Sequence, residues 1–358
     1  MKEQRVTLKN VAEQLNISIG TIDRAIHGRG RINEETRAII LHKIKELGYK
    51  PNHLARVLGK NKETRLAFIT PSHNPFWEEM MKGAKLACDE LVDYGLHLDF
   101  YSQSSEFDSV AQVQAMSEVI EKKPNGIIVA PLHPYLLSAP INEAVENGIP
   151  VITINRDSKD SRRLCYVGEN PYNTGKAVGT MYGKYLGNNG KIAVLTGSKD
   201  FSQFHIRKDG FLNTLMEKYA NVEIVGHYEY ADDIEVAYAI SKKLLTDMED
   251  LKGIFANTGA GAIAIGRAVK ETNKTGKVFA VGYDVNDEIF QLLDSNALSA
   301  TVTQSPITQG YYAVKLLHKV MLERFVPDNE FYYTRADIII DSEQYNFYST
   351  GLYHSNIV

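Results

Sequence analysis

The chain has 358 residues, of which 44% are hydrophobic and 23% charged, with 26 Gly and 11 Pro, proportions that exclude disordered and fibrous proteins. Its two cysteines, Cys88 and Cys165, form no CxxC motif or Cys/His cluster, which predicts a reduced protein without a bound metal. No apolar run is long enough to span a bilayer, and the N-terminus resembles no signal peptide, so we expect a cytoplasmic protein with no membrane partner.

The net charge of -4 conceals a difference between two parts of the chain. Residues 1–62 carry 13 Lys and Arg against 6 Asp and Glu, whereas the remainder carries 27 against 38. A basic segment on an acidic body indicates that the segment contacts a polyanion. The alternative is an ordinary solvated face with no such partner.

Three short helices are predicted in the first fifty residues. Apolar residues recur at helical spacing, and small polar residues stand where the helices begin. The predicted helices cover 8–15, 18–26 and 33–47, with Thr7, Ser18 and Asn33 as capping residues. A helix, a tight turn and a second helix with small polar residues at its start form a helix-turn-helix, whose second helix enters the major groove of DNA.

From Arg65 onward, short runs of β-branched and apolar residues alternate with helical patterns. Such alternation predicts an α/β fold with parallel sheets. Eleven strands are more than one open sheet usually holds, so we expect two doubly wound lobes with a ligand outside the carboxyl ends of their strands. The predicted strands are 65–71, 96–102, 126–131, 150–155, 165–170, 191–197, 222–228, 253–258, 278–284, 298–304 and 337–341.

Four segments carry a resemblance to a known family: Val6–Ala12, Ile17–Ser18, Thr21–Arg24 and Pro51–Leu58. In order and spacing they resemble the DNA-binding domain and hinge of LacI/GalR family transcription regulators. The resemblance implies a helix-turn-helix domain at 1–50, a hinge helix or linker at 51–63 and an effector domain at 64–358. It also implies a repressor without enzymatic activity, which binds a palindromic DNA operator as a homodimer.

The outward residues of the second helix are predicted to read bases, while its first residues suit phosphate contacts. The resemblance adds hinge residues that line the minor groove and a leucine that wedges between base pairs. Asp23 and Gly20 depart from the family, which leaves the operator sequence open. The predicted DNA contacts are Thr7, Ser18, Ile19, Gly20, Thr21, Asp23, Arg24, His27, Arg31, Asn52, Ala55 and Leu58.

The body resembles the ribose-binding type of periplasmic sugar-binding protein, most clearly in Asn74–Trp77 after the first strand. This resemblance implies a two-lobed type I periplasmic-binding-protein-like domain. We expect the chain to cross between lobes near 158–163, 285–296 and 322–328. The first lobe then comprises about 64–160 with 298–322, and the second about 161–296 with 326–345.

An aromatic pair beside an amide suits a sugar, because rings stack on its C–H faces while polar groups bind its hydroxyls. Polar residues, including Glu169 and Asn170, also follow several predicted strands. The predicted effector contacts are Thr70, Asn74, Phe76, Trp77, Asn155, Arg156, Arg207, Asn257, Thr258, Tyr283, Asp284 and Gln304. A sugar or polyol ranks first. A sugar acid or sugar phosphate ranks second, because Asn155 and the pair Thr258–Gly259 stand where the family has carboxylates, while arginines remain.

Two other functions stay open at this point. Gly259–Ala264 fits a dinucleotide-binding fingerprint, with Asp284 at the end of a later strand, as in an NAD-dependent oxidoreductase. A sugar-binding protein without a regulatory role would need an export signal. We favour the regulator, for which no cofactor is predicted.

For a regulator of this kind, the family implies that effector binding closes the lobes and releases the operator. Such coupling typically amounts to ~1–3 kcal/mol, and a corepressor would act with the opposite sign. The aromatic tail from Tyr345 has no leucine heptads, which favours a dimer over a tetramer.

Overall fold

The structure is a computed structural model, and it describes residues 8–15, 17–27, 32–47, 63–72, 74–102, 108–199, 201–323 and 325–349. The helices of the basic segment form one compact unit, and the strands and helices of the body form the other. The predicted hinge helix at 52–59 lies outside the described residues.

Three helices form the N-terminal unit, as the apolar spacing predicts: α1 (Leu8–Leu15), α2 (Ile19–His27) and α3 (Glu34–Glu46). The Asn33 side chain accepts a hydrogen bond from the Glu35 amide at 3.0 Å, which caps α3. The unit has its own small core, since apolar residues of all three helices pack together. The buried members of this core are Val11, Ala12, Ile22, Ala25 and Ile40.

The first lobe of the body is a six-stranded sheet in the order β11-β5-β4-β3-β1-β2, in which every neighbouring pair is parallel. Its strands and helices are β1 (Thr64–Thr70), α4 (Pro75–Glu90), β2 (Leu96–Ser102), α5 (Ser109–Glu121), β3 (Gly126–Val129), α6 (Pro134–Glu146), β4 (Val151–Ile154), β5 (Cys165–Gly168), α12 (Pro306–Glu323) and β11 (Phe331–Tyr333). Since β3, β4 and β5 are buried along their whole length, they read as continuous apolar runs in the sequence.

The second lobe is a six-stranded sheet in the order β12-β10-β9-β8-β6-β7, parallel except for the β10–β12 pair. Its elements are α7 (Pro171–Tyr185), β6 (Gly190–Thr196), α8 (Ser202–Lys218), β7 (Val222–Glu229), α9 (Ile234–Asp247), β8 (Leu251–Ala256), α10 (Gly259–Glu271), β9 (Phe279–Tyr283), α11 (Asp287–Asp294), β10 (Ala300–Thr303), β12 (Asp337–Ile339) and α13 (Ser342–Ser349). All eleven predicted strands are present, and the short, partly exposed β11 is an additional one.

The predicted crossing points between the lobes are wrong. β5 lies in the first sheet rather than the second, β10 lies in the second rather than the first, and β11 lies in the first. The chain therefore crosses after β5, after β10 and after β11. The physical reason is that a strand buried on both faces looks the same in either sheet, so only its pairing decides its lobe.

A glycine pair lets α4 and α12 approach closely within the first lobe. A methyl group at Gly310 would lie 2.0 Å from the carbonyl oxygen of Met80, and one at Gly83 would lie 1.9 Å from that of Ile307. Gly310→Ala is therefore expected to lower the free energy of unfolding by about 3 kcal/mol, because backbone cannot move aside as a side chain can. Urea unfolding measures this, with Thr308→Ala on the same helix as a control near zero. If Gly310→Ala leaves the free energy of unfolding unchanged, the close approach of α4 and α12 is contradicted.

Candidate functional site

A cleft of about 400 Å³ lies between the two lobes, at the carboxyl ends of β4, β9 and β10 and at the starts of α4, α8 and α10. This is where two doubly wound sheets are expected to hold a ligand. It brings together nine of the twelve residues predicted to contact an effector. The nine are Asn74, Phe76, Trp77, Asn155, Arg156, Arg207, Thr258, Asp284 and Gln304.

The aromatic wall of the cleft is built by the start of α4. Asn74 caps this helix by accepting a hydrogen bond from the Trp77 amide at 3.2 Å, and Pro75 fixes its first turn. The rings of Phe76 and Trp77 meet edge to face, with centroids 5.0 Å apart. The Arg156 guanidinium lies 5.6 Å from the Trp77 ring, so a cationic group borders the aromatic wall.

Arg207 is the centre of a buried polar network. Its side chain is 1% exposed and lies 4.1 Å from the ring of Tyr283. Two of its nitrogens donate to one carboxylate oxygen of Glu169, with Nε at 2.7 Å. A third donates to the backbone oxygen of Asn257 at 3.0 Å. The charge of Arg207 is therefore balanced inside the protein, as a buried charge requires.

Gln304 connects the two lobes through this network. Its Oε1 accepts from Arg207 at 2.6 Å and from Gln203 and Asn155 at 3.1 Å each. Its Nε2 donates to Asp284 Oδ1 at 2.5 Å. Asn155 follows β4 of the first lobe, while Arg207 and Asp284 belong to the second, so one amide links side chains on both sides of the cleft.

Asn155 and Asp284 lie directly after their strands, and both have left-handed backbones, with φ of 62° and 64°. Short polar side chains tolerate this conformation better than other non-glycine residues. Burial raises the pKa of Asp284 to about 6, although Arg207 and the hydrogen bond from Gln304 favour its ionised form. The charge of the Asp284 carboxyl in the cleft therefore changes near pH 6.

Three residues predicted as effector contacts do not line the cleft. Thr70 is buried and shares a 2.6 Å hydrogen bond with Ser102. Asn257 uses its side chain to bind the backbone of Gly197 and Phe204, and the ring of Tyr283 packs beneath Arg207. Because each follows or ends a strand, position along the chain could not distinguish them from true lining residues.

Other residues in or beside the cleft were absent from the predicted set. Glu169, predicted only as a polar residue after a strand, balances the charge of Arg207. Gln203, Asp232 and Asn286 line the cleft from the start of α8 and from loops. Gln203 lies one helical turn before Arg207, and this spacing indicates that the two side chains lie on the same face of α8.

The glycine-rich start of α10 does not favour the dinucleotide alternative. Thr258 caps this helix, accepting from the Gly261 amide at 3.2 Å. A methyl group at Gly259 would lie 2.9 Å from a carboxylate oxygen of Asp284, and one at Gly261 would lie 2.4 Å from the Tyr230 hydroxyl. A carboxylate already occupies the helix start where an anionic pyrophosphate would have to bind.

The N-terminal unit places several predicted DNA contacts on its surface. Ser18 caps α2 by accepting from the Thr21 amide at 3.1 Å. Gly20 is exposed, and Arg24 is exposed on the same helix, where its Nε donates to the Gly20 carbonyl at 3.1 Å. Ser18 lies directly before α2 and the other three lie on it, and the contact of these four residues with DNA stays a prediction.

The remaining predicted DNA contacts fall into two groups. Three of them belong to α2, namely Ile19, Asp23 and His27. Five lie outside the described residues, namely Thr7, Arg31, Asn52, Ala55 and Leu58.

Among the described residues, no group of His, Cys, Asp and Glu side chains is arranged to hold a metal ion. None of the described helices has both the length and the apolar composition that a membrane span needs.

Comparison with known proteins assigns both units to families. Residues 66–323 match the periplasmic binding protein domain, and residues 7–52 match the lacI family of bacterial regulatory proteins. The D-allose-binding periplasmic protein of Escherichia coli strain K12 is 27% identical over 254 residues, which are 68% of this chain and 80% of that protein. The solved structure of AraP, an arabinose binding protein from Geobacillus stearothermophilus, is 25% identical, with a TM-score of 0.71 over 80% of this chain and 100% of that one.

A relative with both units extends the similarity to nearly the whole chain. The probable HTH-type transcriptional repressor ExuR of Bacillus subtilis strain 168 is 24% identical over 354 residues, which are 95% of this chain and 96% of that protein. The family resemblance in the sequence is thereby confirmed for both units. The chain belongs to the lacI family of bacterial regulatory proteins: it is a transcriptional regulator with a DNA-binding helix-turn-helix domain and an effector domain of the periplasmic binding protein family.

Proposed function

We propose that this regulator binds a neutral sugar in the cleft between its lobes and releases a palindromic operator when it does so. Trp77 and Phe76 stack on the C–H faces of the sugar, as aromatic rings do in carbohydrate sites. Asn74, Asn155 and Asp284 bind its hydroxyls, and the buried Arg207 holds the polar network in position. The relatives named for allose and arabinose support a ligand of this class.

The charge balance of the cleft is the observation that carries this proposal. Arg156 and Arg207 are the cations that line it, and Asp284 and Asp232 are its carboxylates. Glu169 already neutralises Arg207 through two hydrogen bonds. With no surplus of positive charge, the cleft offers an anionic sugar no advantage over a neutral one. We therefore rank a neutral sugar above a sugar acid or sugar phosphate.

We propose further that the chain acts as a homodimer in the cytoplasm, where operator DNA is found. Two copies of the basic N-terminal unit would bind the two half-sites of a palindrome, as the symmetry of helix-turn-helix dimers requires. The exposed residues Gly20 and Arg24 of α2 support a role in the major groove. The predicted chemistry is binding alone, without a catalytic step.

A thermal-shift screen of the full chain tests the effector class. The neutral probes are D-allose, D-ribose, L-arabinose, D-glucose and D-galactose, and the acidic ones are D-glucuronate, D-galacturonate and glucose 6-phosphate. A ligand at 100 times its Kd adds ~2.7 kcal/mol of stability, which shifts the melting temperature measurably. We expect a neutral sugar to give the largest shift. If only acidic probes stabilise the protein, the charge argument is wrong.

Operator binding is tested with DNA selected from a random pool. Selected sequences are expected to be palindromic, and log affinity is expected to fall with log salt by about 0.9 per phosphate contact. Leu58→Ala is expected to weaken specific binding by at least about tenfold, about 1.4 kcal/mol, because the wedge between base pairs is lost. Leu136→Ala, an exposed leucine of the body, serves as the matched control. A flat salt response would argue against DNA as the partner.

A further inference from the structure

A second cavity adjoins the proposed sugar cleft. Its volume is about 510 Å³, compared with about 400 Å³ for the cleft. Asn155, Arg156 and Gln203 line both spaces and therefore form the boundary between them. A ligand that fills the cleft and continues past these three side chains enters the second cavity.

Aromatic rings from both lobes line this second cavity. Tyr135 at the start of α6 and Tyr333 on β11 belong to the first lobe, and Tyr172 at the start of α7 belongs to the second. These rings are 71%, 44% and 36% exposed. Large rings that converge on one cavity and remain exposed mark a binding surface more often than a packing requirement.

The wall on β11 is held in place before any ligand arrives. The rings of Phe331 and Tyr333 stack with centroids 5.7 Å apart and an angle of 11° between their planes. The Arg163 guanidinium lies 5.4 Å from the centroid of Phe331. Asp157 at 2.6 Å and Glu330 at 3.1 Å fix this arginine in turn. A preformed wall costs little ordering entropy when a ligand binds.

Polar groups line the second cavity together with the rings. The boundary presents the amides of Asn155 and Gln203 together with the guanidinium of Arg156. Lys159 and Asn170 also line the cavity. Rings with a few convergent hydrogen-bonding groups are the combination that binds a polyhydroxylated ring, as in the adjoining cleft.

We infer that the second cavity binds a second sugar ring, so that the effector is a disaccharide whose first ring lies in the cleft. This inference rests on the proposed function, because it presumes a sugar in the cleft. The second ring contacts Tyr135 and Tyr333 from one lobe and Tyr172 from the other. A disaccharide therefore binds the closed arrangement of the lobes through two sites, whereas a monosaccharide uses one.

Calorimetric titration of the full chain with matched sugars tests this inference. The pairs are D-glucose with cellobiose and with maltose, D-galactose with β-1,4-galactobiose, and D-xylose with xylobiose. We expect one disaccharide to bind at least tenfold more tightly than its monosaccharide. In the Tyr135→Ala and Tyr333→Ala variants, the ratio of the monosaccharide Kd to the disaccharide Kd is expected to fall toward one. Tyr332→Ala, the neighbouring ring of β11 that does not line the cavity, is expected to keep it.

Each contrary outcome has a distinct meaning. If monosaccharides bind and no disaccharide binds more tightly, the second-ring site is wrong and the proposed function stands. If no sugar binds, the proposed function fails and the second site fails with it. Phenyl β-D-glucoside is compared with cellobiose by the affinity that each gains over D-glucose. If the phenyl glucoside gains more, and Tyr135→Ala removes that gain in affinity, the cavity takes an aromatic group and the disaccharide inference is overturned.

Discussion

Replacing Arg207 by methionine is expected to lower the free energy of unfolding by about 3–5 kcal/mol and to abolish sugar binding. The side chain is 1% exposed and holds Glu169, which is fully buried. Without the guanidinium, a carboxylate is left in a low-dielectric interior with no opposite charge. Gln304 loses the same donor, so the link between the lobes is weakened as well.

A double variant separates the stability of this pair from its function. Arg207→Met with Glu169→Gln removes both charges, and it is expected to recover most of the lost stability without recovering sugar binding. Arg267→Met breaks an exposed pair with Glu288 and is expected to cost less than about 1 kcal/mol. Denaturant unfolding and calorimetric titration measure the two quantities. A stable Arg207→Met variant with intact binding would contradict the buried network.

Asp284→Asn is expected to stabilise the sugar-free protein at pH 7 while weakening sugar binding at least tenfold. Burial raises the pKa of Asp284 to about 6 from an ordinary value of 3.8, so the folded state resists ionisation of this carboxyl. Between pH 3.8 and about pH 6, the folded state therefore keeps a proton that the unfolded state has lost. The free energy of unfolding then falls as the pH rises from about 4 to about 6. Removing the carboxyl removes a cost of roughly 3 kcal/mol at pH 7.

The pH dependence of the two proteins provides the measurement. The difference in unfolding free energy between Asp284→Asn and the unchanged chain is expected to be small near pH 4 and to grow until about pH 6. Sugar affinity of the unchanged chain is expected to rise over pH 5 to 7, because the ionised carboxylate is the better acceptor of hydroxyl hydrogen bonds. Asp287→Asn, on the exposed start of α11, is the control. Affinity independent of pH would exclude Asp284 as a sugar ligand.

The two-part organisation and the class of each part follow from local patterns in the sequence. Helical spacing and caps such as Asn33 specified three helices in the basic unit, and alternating runs specified eleven of the twelve strands found in the described residues. These patterns are local, since period and capping depend on neighbours within one or two turns. Polar residues after strands, among them Asn155, Asp284 and Gln304, could also be predicted to lie together, because the carboxyl ends of parallel strands meet at one edge of a sheet.

The tertiary structure was needed to assign each buried strand to its sheet, because a strand that is apolar on both faces pairs equally well by pattern in either lobe. It also decided that Asn257 and Tyr283 support the cleft instead of lining it. The Glu169–Arg207 pair joins residues far apart in the chain, and its charge balance supports the neutral sugar that the sequence already ranked first. The rings around the second cavity come from separate elements of both lobes, so no local spacing could bring them together.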